Sequence, residues 1–159
     1  MVARWPLEHA HSLWRQHRNF TAMHRSDPFV RRYMADLGHF EFGALHRPIA
    51  FPGLAELTGG LQPTSLDYWL GYWIAAFDHV LACLHDDVHI LSYEAVCADP
   101  RAGLERVCTR LDIAADAALE GAAGLFKPAP PPRADATACD SRLHDRARTL
   151  HDALVASQR

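Results

Sequence analysis

Residues 88–94 have the sequence Val88-His89-Ile90-Leu91-Ser92-Tyr93-Glu94 and follow the polar run at 85–87. A short apolar run bounded by a turn is typical of a strand buried in a parallel sheet. Asp99 and Pro100 then supply a helix cap and a first-turn proline, and apolar residues at helical spacing continue to about Leu111. The stretch therefore predicts a strand followed by a helix.

The first residues of the chain repeat this unit. Residues 2–4 predict the end of a strand, and Pro6 opens a helix that continues to about Arg18. Two strand–helix units favour a parallel sheet flanked by helices, which is an α/β fold. Helical spacing dominates the rest of the chain, so we expect this α/β fold to be predominantly helical.

Between the two units, the sequence predicts two more helices and a long loop. Asp27 and Pro28 start one helix, which ends at Gly38, and residues 64–65 cap a longer one that continues to about Leu84. Residues 39–63 are rich in glycine and proline. Loops of that length are usually kept for binding or for a lid.

Prolines mark the boundary of the domain. We predict a domain at 1–127, a proline-rich linker at 128–139, and a C-terminal segment at 140–159 whose helix packs back on the domain. Asp140 would cap that last helix.

Composition narrows the classes of function. There is no apolar run of about 18 residues and no signal peptide, so we expect no membrane segment and a cytoplasmic protein. The net charge of −3, without basic residues interleaved with aromatics, argues against nucleic-acid binding. The four cysteines form no CxxC pair, and His9 and His11 point about 200° apart on a helix, so we expect no metal site.

Charge is unevenly distributed. Residues 1–32 sum to +4 and the remaining residues to −7. The basic end would suit an anionic ligand, but from charge alone a solvated helix face is the favoured explanation.

Two strand ends carry candidate binding residues, because ligands of open parallel sheets bind beyond the carboxyl ends of the strands. Arg4 leaves the first strand and Ser12 lies on the following helix, so a guanidinium fork and a hydroxyl could converge on a phosphate. Tyr93 could stack on a flat base, and Glu94 could hold nearby backbone amides. The alternatives are a surface arginine, a solvated serine and a half-buried structural tyrosine.

In combination these segments resemble the sulfotransferases that use 3′-phosphoadenosine 5′-phosphosulfate, and bacterial members in particular. Residues 4–13 are similar to the strand-loop-helix motif of the family, and residues 88–113 to its strand ending in Tyr-Glu with an Asp-Pro helix start. The resemblance implies an incomplete P-loop NTPase-like three-layer fold. It places Arg4 and Ser12 at the 3′-phosphate and Tyr93 beside the adenine. Sulfuryl transfer to an acceptor hydroxyl or amine would be the reaction.

The chain departs from the family at the catalytic centre. The N-terminal half of the family supplies a phosphosulfate-binding loop with a lysine, whereas the one lysine here, Lys127, lies beside the proline-rich segment. We therefore expect only the C-terminal portion of such an enzyme, inactive alone. Its partners would be the nucleotide cosubstrate and an unidentified acceptor, together with a missing N-terminal half or a second copy. The alternative is a non-catalytic helical interaction module that oligomerises through exposed sheet edges.

Overall fold

The computed structural model describes residues 1–114, 118–129 and 139–157. Its described part is mostly helical and carries one two-stranded parallel sheet, which is consistent with the α/β class. In chain order the elements are β1 (Val2–Ala3), α1 (Pro6–Ser26), α2 (Pro28–Leu37), a 3-10 turn (Gly43–Leu45), α3 (Leu54–Thr58), α4 (Leu66–Ala82), β2 (Leu91–Ser92), α5 (Tyr93–Ala98), α6 (Pro100–Arg110), α7 (Ala118–Ala123) and α8 (Ser141–Ala156).

The sheet joins the two predicted strand segments, but each strand is shorter than predicted. Val2 pairs with Leu91 and Ala3 with Ser92 in parallel register. The prediction that the second strand continues through Glu94 is wrong, because the Ser92 hydroxyl accepts the Ala95 amide at 3.1 Å and starts α5 there. Two strands of two residues do not define a three-layer sheet, so the P-loop NTPase-like architecture stays a prediction.

The helix α1 is longer than its apolar pattern predicted. It continues past Arg18 to Ser26, because the first strong stop signal along its length is Asp27-Pro28. The Asp27 carboxylate accepts the amides of Phe29 and Val30 and so caps α2, as predicted. The predicted end of α2 is also confirmed, since Gly38 adopts φ +74° there.

The core is built around α4. Its residues Trp69, Leu70, Trp73 and Ile74 are at most 1% exposed, and α1 and α3 pack against the same helix. On another side α8 contributes Ala147, Leu150 and Leu154, so the last helix packs on the domain. Its cap is Asp140, whose carboxylate accepts the Arg142 and Leu143 amides. The predicted proline-rich linker falls mostly at 130–138, outside the described residues.

The long segment 39–63 is less irregular than its composition predicted. It contains the 3-10 turn and α3, and α3 approaches α4 closely at Gly71. A Cβ atom at Gly71 would come within 3.2 Å of the Leu57 carbonyl oxygen, so a larger residue here would require α3 to move away by a few tenths of an ångström. None of the helices in the described ranges is long and apolar enough to cross a membrane.

Candidate functional site

The ends of β1 and β2 bring Arg4 and Tyr93 together. The strands are parallel and in register, so the residues that follow Ala3 and Ser92 emerge side by side. The Arg4 Cζ atom lies 5.1 Å from the centroid of the Tyr93 ring, which is a cation–π contact. Two of the three predicted site residues, far apart in sequence, are therefore neighbours in the fold.

Glu94 fixes the backbone around this pair. Its Oε1 accepts the Trp5 amide at 2.9 Å, and its Oε2 accepts the Ser92 hydroxyl at 3.3 Å. The prediction that this carboxylate binds backbone amides is thus confirmed. The bond joins the start of α1 to the start of α5, so the two halves of the site have a defined relative position.

Arg4 makes no ion pair with a carboxylate in the described part of the chain. Glu94 is near enough to act on the same groups as Arg4, namely His9 and Tyr93, but its oxygens bind the Trp5 amide and the Ser92 hydroxyl. Arg4 is half-buried, and its recorded contact is the Tyr93 ring. A partly desolvated guanidinium of this kind suits a phosphate, which it can bind through two parallel N–H bonds.

His9 is a site residue that the sequence did not identify. Trp73 donates its Nε1 hydrogen to His9 Nδ1 at 3.2 Å, and the His9 ring meets Phe77 edge to face. Burial is the main cause of a lowered His9 pKa, Arg4 lowers it further, and Glu94 partly opposes them. The ring is therefore neutral near pH 7, with its hydrogen on Nε2 and available to an anion.

In the sequence, position alone indicates that His9 could belong to the site. It lies five residues after Arg4, and its spacing from His11 suggests no role beyond that of a possible metal ligand. The partner that fixes its tautomer is 64 residues away along the chain, so helical spacing alone does not reveal the contact.

Ser12 lies on α1, one turn beyond His9, and is half-buried. Its hydroxyl makes no hydrogen bond within residues 1–114, 118–129 and 139–157. Six residues of helix separate it from Pro6, a rise of about 9 Å. The structure thus places Ser12 on the helix adjoining the pair and leaves its hydroxyl to a ligand or to water.

Tyr93 offers its ring to a ligand. The neighbouring Cys97 thiol is the main cause of a raised Tyr93 pKa. The phenol is therefore neutral at physiological pH, and a neutral aromatic ring can border or stack on a flat base.

The described residues contain no group of three or more side chains that could hold a metal ion. Lys127 is exposed in the segment that follows α7. Comparison with known proteins finds no match to this chain among protein-family models, curated proteins or solved structures.

Proposed function

We propose that this chain is sulfotransferase-like and that Arg4, Ser12 and Tyr93 form its part of a binding site for 3′-phosphoadenosine 5′-phosphosulfate. The observation that carries the proposal is the 5.1 Å contact between Arg4 and the Tyr93 ring at the ends of two parallel strands. The resemblance assigns one of these residues to the 3′-phosphate and the other to the adenine of the same nucleotide. Two groups of one nucleotide lie close together, so the assignment requires Arg4 and Tyr93 to be neighbours.

The phosphate arm of the site would use Arg4, Ser12 and His9. The Arg4 guanidinium supplies charge and a fork of donors, and the hydroxyl of Ser12 has no partner in the described ranges. Neutral His9, which lies between Arg4 and Ser12 in the sequence, adds an N–H donor. The first turn of α1 contributes backbone amides and the positive end of the helix dipole.

The adenine arm would use Tyr93. Arg4 covers its ring in the absence of ligand, and a phosphate that draws the guanidinium away frees the ring for the base. Glu94 keeps the backbone in place during this exchange, because it binds the Trp5 amide rather than Arg4.

Catalysis needs more than these residues. Sulfuryl transfer is an in-line displacement at sulfur, favoured by positioning and by cations around the leaving phosphate. Arg4 would neutralise the 3′-phosphate, which is remote from the sulfur. The phosphosulfate-binding loop and its lysine are not among residues 1–159, so we assign no catalytic residue and propose a partial nucleotide site.

The test is a titration with adenosine 3′,5′-bisphosphate, followed by NMR of the full 159-residue chain. We expect weak binding that shifts Arg4, His9 and Tyr93 signals, and we expect Arg4→Ala to abolish it. Arg31→Ala is the control, because it removes the same charge from an exposed position on α2. Tight binding that is insensitive to Arg4→Ala would overturn the assignment.

Exposed strand residues favour a second candidate, a non-catalytic module that associates through sheet edges. The strands β1 and β2 pair with each other in the described sheet, which leaves each with an outer edge. Val2 on β1 is 52% exposed, and Val88, just before β2, is 40% exposed. Unpaired edges with apolar residues are templates for pairing with another chain.

A further inference from the structure

A cleft of about 270 Å³ opens beside the second half of α1, away from the strand ends. One wall is α1, and the other is the turn that precedes α4. The lining residues are predominantly basic and polar: His17, Arg18, Thr21, Ala22, Arg25 and Thr64.

The two arginines lie on one stripe of α1. Positions 18, 21 and 25 are separated by three and four residues, so their side chains share a face of the helix. Among the described residues, neither Arg18 nor Arg25 makes an ion pair with a carboxylate. The cleft therefore carries two positive charges that pair with no acidic side chain of the described ranges.

Packing against Trp14 organises this wall. The Arg18 Cζ atom lies 4.7 Å from the Trp14 ring, so the guanidinium is held over an aromatic face. Trp14 also donates its Nε1 hydrogen to the Thr64 carbonyl at 2.7 Å. This bond fixes the opposite wall to α1, so the cleft has a defined width.

His17 adds a buried donor to the cleft. The residue is 6% exposed, and its Nδ1 accepts the Gly43 amide at 3.2 Å, which places the hydrogen of the neutral ring on Nε2. Nε2 has no hydrogen-bond partner in the described part of the chain. Among the described residues, the side-chain atom that is both fully buried and without a partner is Nε2 of His151, so His17 Nε2 retains some contact with solvent. His17 lines the cleft while its ring packs against His46 and Trp69, and Nε2 is the ring nitrogen that binds no described group.

We propose that this cleft binds a tetrahedral oxyanion, a phosphate or sulfate group, through the guanidinium groups of Arg18 and Arg25 and the Nε2 hydrogen of His17. Guanidinium groups form short, charge-assisted bonds with such anions, and the volume accommodates one. The Thr64 backbone is held at the rim by Trp14, while Thr21 already donates its hydroxyl to the His17 carbonyl. The site is independent of the nucleotide site proposed at Arg4.

The experiment titrates the full chain with inorganic phosphate, and separately with sulfate, at constant ionic strength against chloride. NMR signals of the His17 ring and the Trp14 indole report on occupancy. Burial, and then His46, hold the pKa of His17 below its usual value, so a bound dianion should raise that pKa. We expect saturable shifts of both signals and an upward shift of the His17 titration.

Matched variants locate the site. Arg18→Ala and Arg25→Ala should each weaken binding about tenfold or more, the loss expected for a charge-assisted bond. Arg18→Lys keeps the charge without the fork and should fall between Arg18→Ala and the unchanged chain. Arg31→Ala should have no effect, and Arg4→Ala should leave the His17 shift unchanged, which separates the two sites. Far-ultraviolet circular dichroism checks that each variant is folded.

Two results would overturn the proposal. One is a His17 response to phosphate that does not saturate or that chloride reproduces. The other is an equal loss of binding in Arg31→Ala.

A further experiment compares the binding of inorganic phosphate with that of a phosphate monoester such as methyl phosphate. Tighter binding of the monoester assigns a group carried by a larger molecule, and tighter binding of the inorganic ion assigns a free anion.

Discussion

Glu94 is the residue on which the geometry of the candidate site depends. Its carboxylate accepts one backbone amide from the start of α1 and one hydroxyl from the end of β2. Arg4 and Tyr93 are each adjacent to one of those anchored positions. Hydrogen bonds to an ionised acceptor contribute more than neutral ones, so the charge of Glu94 matters as well as its shape.

We expect Glu94→Gln to destabilise the fold by about 1 kcal/mol, because the amide keeps the size of the side chain but accepts the Trp5 N–H without a charge. Glu94→Ala should cost more, since Trp5 then loses its acceptor. Urea unfolding measures both changes. The control is Glu41→Gln, an exposed carboxylate near His39. Equal effects of Glu94→Gln and Glu41→Gln would contradict the role given to Glu94.

Neighbouring residues differ in how well the sequence predicts them. Arg4 and Tyr93 each follow a recognisable strand segment, so their proximity follows once the strands are parallel. His9 and its neutral tautomer do not follow, because they depend on Trp73 in a different helix. Ser12 was placed on the right helix, but no local rule fixes the direction of its hydroxyl.

Histidines attach the segment around the 3-10 turn to α1 and α4. His17 Nδ1 accepts the Gly43 amide, and His24 Nδ1 accepts the Ala44 amide. His46 Nδ1 contacts the Glu41 carbonyl at 2.7 Å, and its Nε2 lies 2.8 Å from the Tyr68 hydroxyl. Burial raises the pKa of Tyr68 to about 12, so Tyr68 remains the donor and His46 the neutral acceptor. The bonds to the Gly43 amide, the Ala44 amide and the Tyr68 hydroxyl each use an unprotonated ring nitrogen, whereas His46 Nδ1 carries the hydrogen that it donates to the Glu41 carbonyl.

We expect the chain to lose stability as the pH falls below about 6.5, the ordinary histidine value. The pKa values of His9, His17 and His46 are all lowered, chiefly by burial. The unfolded chain therefore binds more protons than the folded chain in acid, and the free energy of unfolding falls by up to about 1.4 kcal/mol per pH unit for each such proton. The loss starts near the unfolded pKa and is complete below the folded one.

Urea unfolding between pH 7.5 and pH 5 measures this slope. His17→Gln combined with His46→Gln should flatten it, because neither position then takes up a proton. His85→Gln is the control, since His85 lies exposed after α4. A slope that is unchanged in the double variant would show that these two histidines do not govern the acid response.

Helix caps make the elements predictable from sequence. Asp27, Asp99 and Asp140 each accept amides two or three residues further on, and each precedes a helix predicted at that position. The helix α5 was missed because its cap, Ser92, also ends a strand that was predicted to continue. The helix α3 was missed because five residues next to glycines depend on packing against α4 rather than on a pattern of their own.

We expect Asp140→Ala to destabilise the chain by about 1 kcal/mol, the usual cost of losing an N-cap. Thermal unfolding should show a lower midpoint, because α8 supplies buried core residues to α4. Asp152→Ala provides the comparison, since it removes an exposed carboxylate near the C-terminal end of the same helix. A carboxylate is unfavourable there, so this variant should be neutral or slightly more stable. Indistinguishable unfolding midpoints for the two variants would argue against the cap.

At the scale of the whole molecule, the charge distribution matches the two proposed anion sites. Arg4, Arg18 and Arg25 all lie within the first 32 residues, whose net charge is +4. The one lysine, Lys127, is exposed beyond α7. This arrangement is consistent with the two proposed anion sites, and neither of them, as assigned, includes a cation for the sulfur of a phosphosulfate group.

The purified 159-residue chain should therefore transfer no sulfate to any acceptor. A radiolabelled assay with 3′-phosphoadenosine 5′-phosphosulfate and mixed phenol, alcohol and amine acceptors tests this expectation. Turnover above a no-protein blank would show that residues 1–159 contain a catalytic cation that the present assignment omits. The assay contains no added peptide that could supply the lysine-containing loop, because the expectation concerns this chain alone.

The second candidate function predicts association. Pairing through sheet edges should give a species whose mass is a multiple of 17.8 kDa in size-exclusion chromatography with light scattering. Val2→Lys, which places a charge on the exposed strand β1, should return it to the monomer. A monomer at all concentrations would eliminate the edge-pairing module and leave the partial nucleotide site as the remaining candidate.

The parallel pairing of β1 with β2 has a consequence for folding kinetics. It joins segments about 89 residues apart, whereas α1, α2 and the 3-10 turn contact one another at much shorter separations. Closing so long a loop costs more chain entropy than forming local helix contacts, so the strand pair should form late. During synthesis, the contact between Arg4 and Tyr93 would then form only after residue 94 has emerged and the helices before it have packed.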